Sequence, residues 1–136
     1  MTRRQFQILA DARLRDAEVL LGNRRFAGAY YLAGYSVECA IKACIAKRTR
    51  KSEFPPREAP KFYTHDLWAL LKMSGLSDQY GEARRDNPDL GSNWSVVDAW
   101  SEDSRYETHT QREATELLNA VSDSDNGVLP WLKRYW

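Results

Sequence analysis

Residues 26–50 most constrain what this chain can fold into. Phe26, Tyr30, Ala33, Val37, Ala40, Ile41 and Cys44 recur at spacings of three and four, which places them on one helical face. Ala29, Leu32, Ser36, Cys39 and Ala43 form a second face, also small or apolar. Only Tyr31, Tyr35, Glu38 and Lys42 leave a polar stripe between them. A helix covered on two sides belongs at the centre of a bundle. Gly28 and Gly34 each weaken a helix interior by about 1 kcal/mol relative to alanine, so their presence points to another backbone approaching closely.

The rest of the chain supplies the covering. Residues 3–22 read as an amphipathic helix with Phe6, Ala10, Leu14, Ala17 and Leu21 inward and Arg4, Asp11, Arg15 and Glu18 outward. Gly22 and Asn23 stop it, and the short link to Phe26 makes the first two helices antiparallel neighbours. Beyond residue 50, Pro55, Pro56 and Pro60 hold a loop open. Thr64 then reads as the N-cap of a helix with Asp66 in its first turn, Leu67, Leu70 and Leu71 inward, and Gly75 at its end. Residues 77–85 suit a short polar helix. Asn87-Pro88-Asp89 and Gly91-Ser92-Asn93 carry turn chemistry. Trp94, Val97 and Trp100 surround the approach to Arg105 and Tyr106. A last long helix over 108–122 turns Ala114, Leu117, Leu118 and Val121 inward, and 123–136 form an aromatic tail. Nothing alternates with a strand period and nothing repeats. The expected architecture is all-α, one domain over residues 1–136.

Composition narrows the function classes. Cys39 and Cys44 lie five positions apart on different faces of the central helix, without neighbouring Cys or His, and read as buried free thiols in a reducing cytoplasm. No run of eighteen apolar residues is present to span a membrane, and the first residues lack the apolar core of a secretory signal. The formal net charge is +1, but seven basic residues crowd positions 42–61 and ten carboxylates crowd 86–125. Whole-chain basicity therefore does not drive nucleic-acid binding, while a local basic patch stays open. A glycine-rich phosphate loop, a metal-ligand spacing and a Gly-x-Ser-x-Gly elbow are all missing, so neither cofactor nor metal is expected.

The segment Gly28-Ala-Tyr-Tyr-Leu-Ala-Gly-Tyr-Ser-Val-Glu38-Cys-Ala-Ile-Lys42 is the most specific part of the chain. Followed by Thr64-His65-Asp66-Leu67, then Trp100 and Arg105-Tyr106, it resembles the HEPN family, the higher-eukaryote and prokaryote nucleotide-binding domains. The ordered pieces cover residues 6–122. The resemblance implies an up-and-down bundle of four to five helices that commonly forms a homodimer. It also implies work beside a small nucleotidyltransferase partner, as in toxin–antitoxin pairs, with a nucleotide or RNA as ligand. Some members are metal-independent ribonucleases with four to six residues between an Arg and a His at the dimer groove, a pattern this chain departs from. The nearest match here is Arg105-Tyr-Glu-Thr-His109, with three residues between.

The candidate site residues each carry two readings. If Arg105 and His109 lie on one helix, their i,i+4 spacing shares a face, with Arg holding phosphate and His moving a proton. Otherwise Arg105 pairs with a bundle carboxylate and His109 sits at the surface near the start of the last helix. Glu38, projecting from a buried helix, needs a partner: Lys42 locally or Arg105 across the interior. His65 either bonds a neighbouring loop or serves as a base. Tyr31, Tyr35 and Tyr106 either line a groove with Glu38 or simply pack.

Overall fold

The computed structural model describes residues 1–49 and 62–136. Their helices are α1 (Arg3–Gly22), α2 (Phe26–Arg48), α3 (Leu67–Met73), α4 (Ser77–Asp86), α5 (Pro88–Asp98), a 3-10 turn (Glu102–Tyr106), α6 (Gln111–Ser122) and α7 (Val128–Leu132). No strand occurs among the described residues, and the architecture is an all-α bundle. The expected proline-held loop over residues 52–60 and most of the basic run lie outside the described residues.

Helix α1 starts with a capping box. The Thr2 hydroxyl accepts from Gln5 N at 3.1 Å while the Gln5 side chain accepts from Thr2 N at 2.7 Å. Asn23 closes it, and Arg24 adopts the left-handed region at φ 60° to turn the chain. Ser36 Oγ donates to the Ala10 carbonyl at 2.7 Å, while Gly28 faces the Leu20 methyl. Rising positions on α2 meet falling positions on α1, so the pair is antiparallel, as the short connection requires.

Helix α2 is buried nearly all round. From Ala33 to Ile45 only Tyr35 is not fully buried, and even Glu38 and Lys42 of the polar stripe are inside. It touches α1, α3, the 3-10 turn, α6 and α7. The glycine argument holds with a different neighbour. A methyl on Gly34 would collide with the Trp100 indole, and one on Gly28 would sit 3.1 Å from Leu20 Cδ1. Side chains, not a second backbone, use the space.

Three local expectations are corrected. The cap of α3 is Asp66, whose carboxylate accepts from Ala69 N at 3.0 Å, and Thr64 instead accepts from Asp66 N. Starting the helix two residues later leaves His65 outside it. Residues 88–98 form helix α5 rather than turns. Pro88 occupies its first position, where the missing N–H is not needed. Leu90, Trp94 and Val97 fall on one buried face, and Asn93 spends its amide on the Asn126 carbonyl at 2.9 Å. Burial and this tertiary bond override local turn preference. Helix α6 begins at Gln111, not 108, because Thr110 and Glu113 form its capping box.

The aromatic tail folds back into the domain. Val128, Leu129, Trp131 and Leu132 are buried, and Trp131 meets Tyr80 edge-on at 5.8 Å. Lys133 Nζ pairs with Asp11 at 2.7 Å and Arg3 donates to the Trp136 main-chain oxygen at 2.6 Å, tying the tail to α1. Trp131 is part of the core, and Tyr135 and Trp136 pack against it partly buried.

The Gly34 contact has a testable sign. Alanine on an unobstructed helix gains about 1 kcal/mol over glycine, whereas forcing a methyl into a packed core costs about 1–3 kcal/mol. Gly34→Ala is expected to lower stability by urea denaturation, and combination with Trp100→Leu to cost less than the two single changes summed.

Candidate functional site

His65 is free to leave the α3 cap because Asp66, not Thr64, closes that helix. Its Nδ1 lies 2.7 Å from Glu38 Oε1 and its Nε2 lies 3.1 Å from Glu102 Oε2. Glu38 is 2% exposed, and its other oxygen meets Lys42 Nζ at 3.2 Å. On the outer side Arg105 Nη2 stands 4.0 Å from the same Glu102 oxygen. The result is a relay: Lys42, Glu38, His65, Glu102, Arg105. Two acceptors facing both ring nitrogens are both satisfied only when the imidazole carries two protons. The Lys42 ammonium also lies 5.3 Å from the Phe62 ring centroid.

Of the two partners open to Glu38, Lys42 is the one it meets directly. Arg105 is reached only through His65 and Glu102. Its guanidinium rests 4.9 Å from the Tyr106 ring centroid. Its pKa is pushed up, first by the charge it would face on Tyr106 and then by side-chain hydrogen bonds to Tyr106 and Tyr31. Tyr31 stacks between Tyr35 at 6.1 Å and Trp100 at 6.0 Å. Burial, followed by the neighbouring Cys39 and Glu38, pushes the Tyr35 phenol up to about 12. The Cys39 and Cys44 thiols are free and buried, each pushed up to about 12, chiefly by burial. Neither is a ready nucleophile.

His65 and Glu102, in contact with each other, both line a groove of about 570 Å³. Asp66, Trp68, Asp98 and Asp103 line it with them. Burial, and then the charge of Asp66, pushes the Asp98 carboxyl above its usual value. Glu102, Asp98 and Trp68 were not singled out by the sequence. Only Glu102 left a signal, its i,i+3 spacing to Arg105, and that spacing has no meaning until the 3-10 turn is known.

His109 goes elsewhere. The 3-10 turn ends at Tyr106 and Glu107 is extended, so no helical register joins Arg105 to His109. The idea that they share a helix face is corrected on that ground. The His109 side chain is 7% exposed, its ring stacked on Tyr30 at 3.7 Å and 11°. Nδ1 contacts Glu113 at 3.1 Å and Nε2 stands 3.5 Å from Glu107, an ion-pair distance. Glu113 is lowered below its usual range, first by the His109 hydrogen bond and then by the Thr110 amide. The imidazole therefore secures the start of α6 against α2.

A buried-glutamate helix, a histidine just ahead of a second helix and an Arg-Tyr turn, all within one helical bundle, describe a family. The HEPN domain model matches residues 9–123, and the chain belongs to that family. No curated protein and no solved structure matches the chain. Among the described residues no helix is long and apolar enough to cross a membrane, and no three candidate ligands gather for a metal.

Breaking a buried ion pair by removing one partner costs about 3–5 kcal/mol, against under about 1 kcal/mol for an exposed pair. Glu38→Gln is therefore expected to lower unfolding free energy several times more than Glu102→Gln. Parallel denaturant titrations compare them, and equal losses would contradict the central place given to Glu38.

Proposed function

We propose that this chain is a binding and association module, a homodimer that works with a nucleotidyltransferase-type partner and engages a nucleotide or RNA. One observation carries the reading. Glu38, Lys42, His65, Glu102 and Arg105 are tied into one network beside an open groove, an arrangement that holds side chains in place. Family membership supports a nucleotide- or RNA-related role in general terms. The exposed Ile8 and Val19 on α1 supply apolar surface for association.

A metal-independent ribonuclease using Arg105 and His109 is the rival. It asks His109 to reach a phosphate, and the ring is stacked on Tyr30 between two carboxylates. Catalysis by that pair would first have to break those contacts.

Light scattering at micromolar concentration is expected to give twice the chain mass; a monomer would count against the association reading. Incubation with single-stranded RNA in EDTA is expected to give no cleavage. Cleavage abolished by His109→Ala would establish the ribonuclease instead.

A further inference from the structure

The Glu102 carboxylate has an unusual setting. It faces two potential cations from distant parts of the sequence, His65 Nε2 at 3.1 Å and Arg105 Nη2 at 4.0 Å, yet it lies half-exposed on a one-turn segment. The donors are organised without it. Glu38, buried beneath, holds His65 by its far nitrogen, so the direction of Nε2 is set from the core. Arg105 rests over the Tyr106 ring at 4.9 Å to the centroid. A ring N–H and a guanidinium nitrogen aimed at one oxygen are donors of the kind that recognise a phosphate, and a carboxylate satisfies the same donors.

We propose that Glu102 occupies a phosphate seat formed by His65 and Arg105, so that an internal carboxylate closes a site that a phosphate group of the ligand enters by displacing it. This rests on the nucleotide-or-RNA part of the proposed function and names the residues that would meet the ligand. It also replaces the sequence pairing of Arg105 with His109 by a pairing with His65, forty positions upstream. Being part of the same chain, Glu102 competes at a high effective concentration. The neighbouring Asp66, Asp98 and Asp103 repel a free anion and strengthen the closure. The seat opens onto the groove of about 570 Å³, which has room for the rest of a nucleotide.

The test removes the plug and keeps the seat. Glu102→Gln preserves shape and neutralises charge at a half-exposed position, and circular dichroism checks that the fold is kept. Calorimetric titration with inorganic phosphate is expected to show at least tenfold tighter binding to Glu102→Gln than to the natural chain. Adding Arg105→Ala or His65→Ala to Glu102→Gln is expected to abolish the gain. Asp103→Asn removes a nearby charge without opening the seat and should give a much smaller gain. Adenosine 5′-monophosphate and a short RNA lacking terminal phosphates then separate a terminal phosphate from a phosphodiester as its source.

Equal phosphate affinity in Glu102→Gln and the natural chain overturns the proposal. So does a gain that survives loss of Arg105 or His65, or one that Asp103→Asn matches. If Glu102→Gln gains no phosphate binding but loses binding of spermine, the acidic groove takes a cation and the seat is disproved. Binding of adenosine 5′-monophosphate or RNA by the natural chain that Arg105→Ala and His65→Ala leave unchanged would overturn the seat while keeping the nucleotide-or-RNA reading, so the two failures are distinguishable.

Discussion

A carboxylate inside a helical bundle is the constraint on which the rest of the site depends. Glu38 is 2% exposed, and an unpaired charge there would be unaffordable in a low-dielectric interior. Lys42 satisfies one oxygen from the next turn of the same helix, and His65 satisfies the other from the segment ahead of α3. The second contact links two elements that local sequence does not join. It requires α3 to begin at Leu67, and the Asp66 cap supplies that start. Through His65 the requirement passes to Glu102 and Arg105, so a core desolvation problem orders a surface groove.

Packing around α2 serves the same end. Trp100 can lie over α2 only because Gly34 has no side chain, and Trp100 carries the 3-10 turn that brings Glu102 and Arg105 to the site. Tyr31 and Tyr35 fill the space along this side of the helix. The helix-weakening glycine is thus explained by what it admits. The aromatic cluster of Trp68, Tyr80, Trp94 and Trp131 supports the neighbouring wall, with Trp68 reaching both the groove and the core.

The two histidines illustrate how burial divides similar residues between roles. His65 stands between Glu38 and Glu102 and is part of the groove wall. His109 also stands between two carboxylates, but its ring is stacked flat against Tyr30 and its side chain is nearly closed to solvent. Spacing along the chain drew attention to His109, whereas position in the fold favours His65. A change of secondary structure at Tyr106 accounts for the difference: four residues of α-helix would have brought Arg105 and His109 to one face, and an extended Glu107 does not.

Much of this protein was determined by residue order alone. The spacing of apolar residues specified α1 and α2, the doubly covered character of α2 and the all-α class, because helical periodicity is a local property, and the ordered motifs from Gly28 to Tyr106 carried the HEPN resemblance. The need for a partner at Glu38 was equally legible, since desolvation follows from burial. Only tertiary structure decided which partners converged. Turn-rich residues 88–98 became helix because burial and the Asn126 contact outweighed local preference, and His65 met Glu38 across 27 positions. The groove and its acidic wall arise from contacts between segments far apart in the chain, which no spacing of residues encodes by itself.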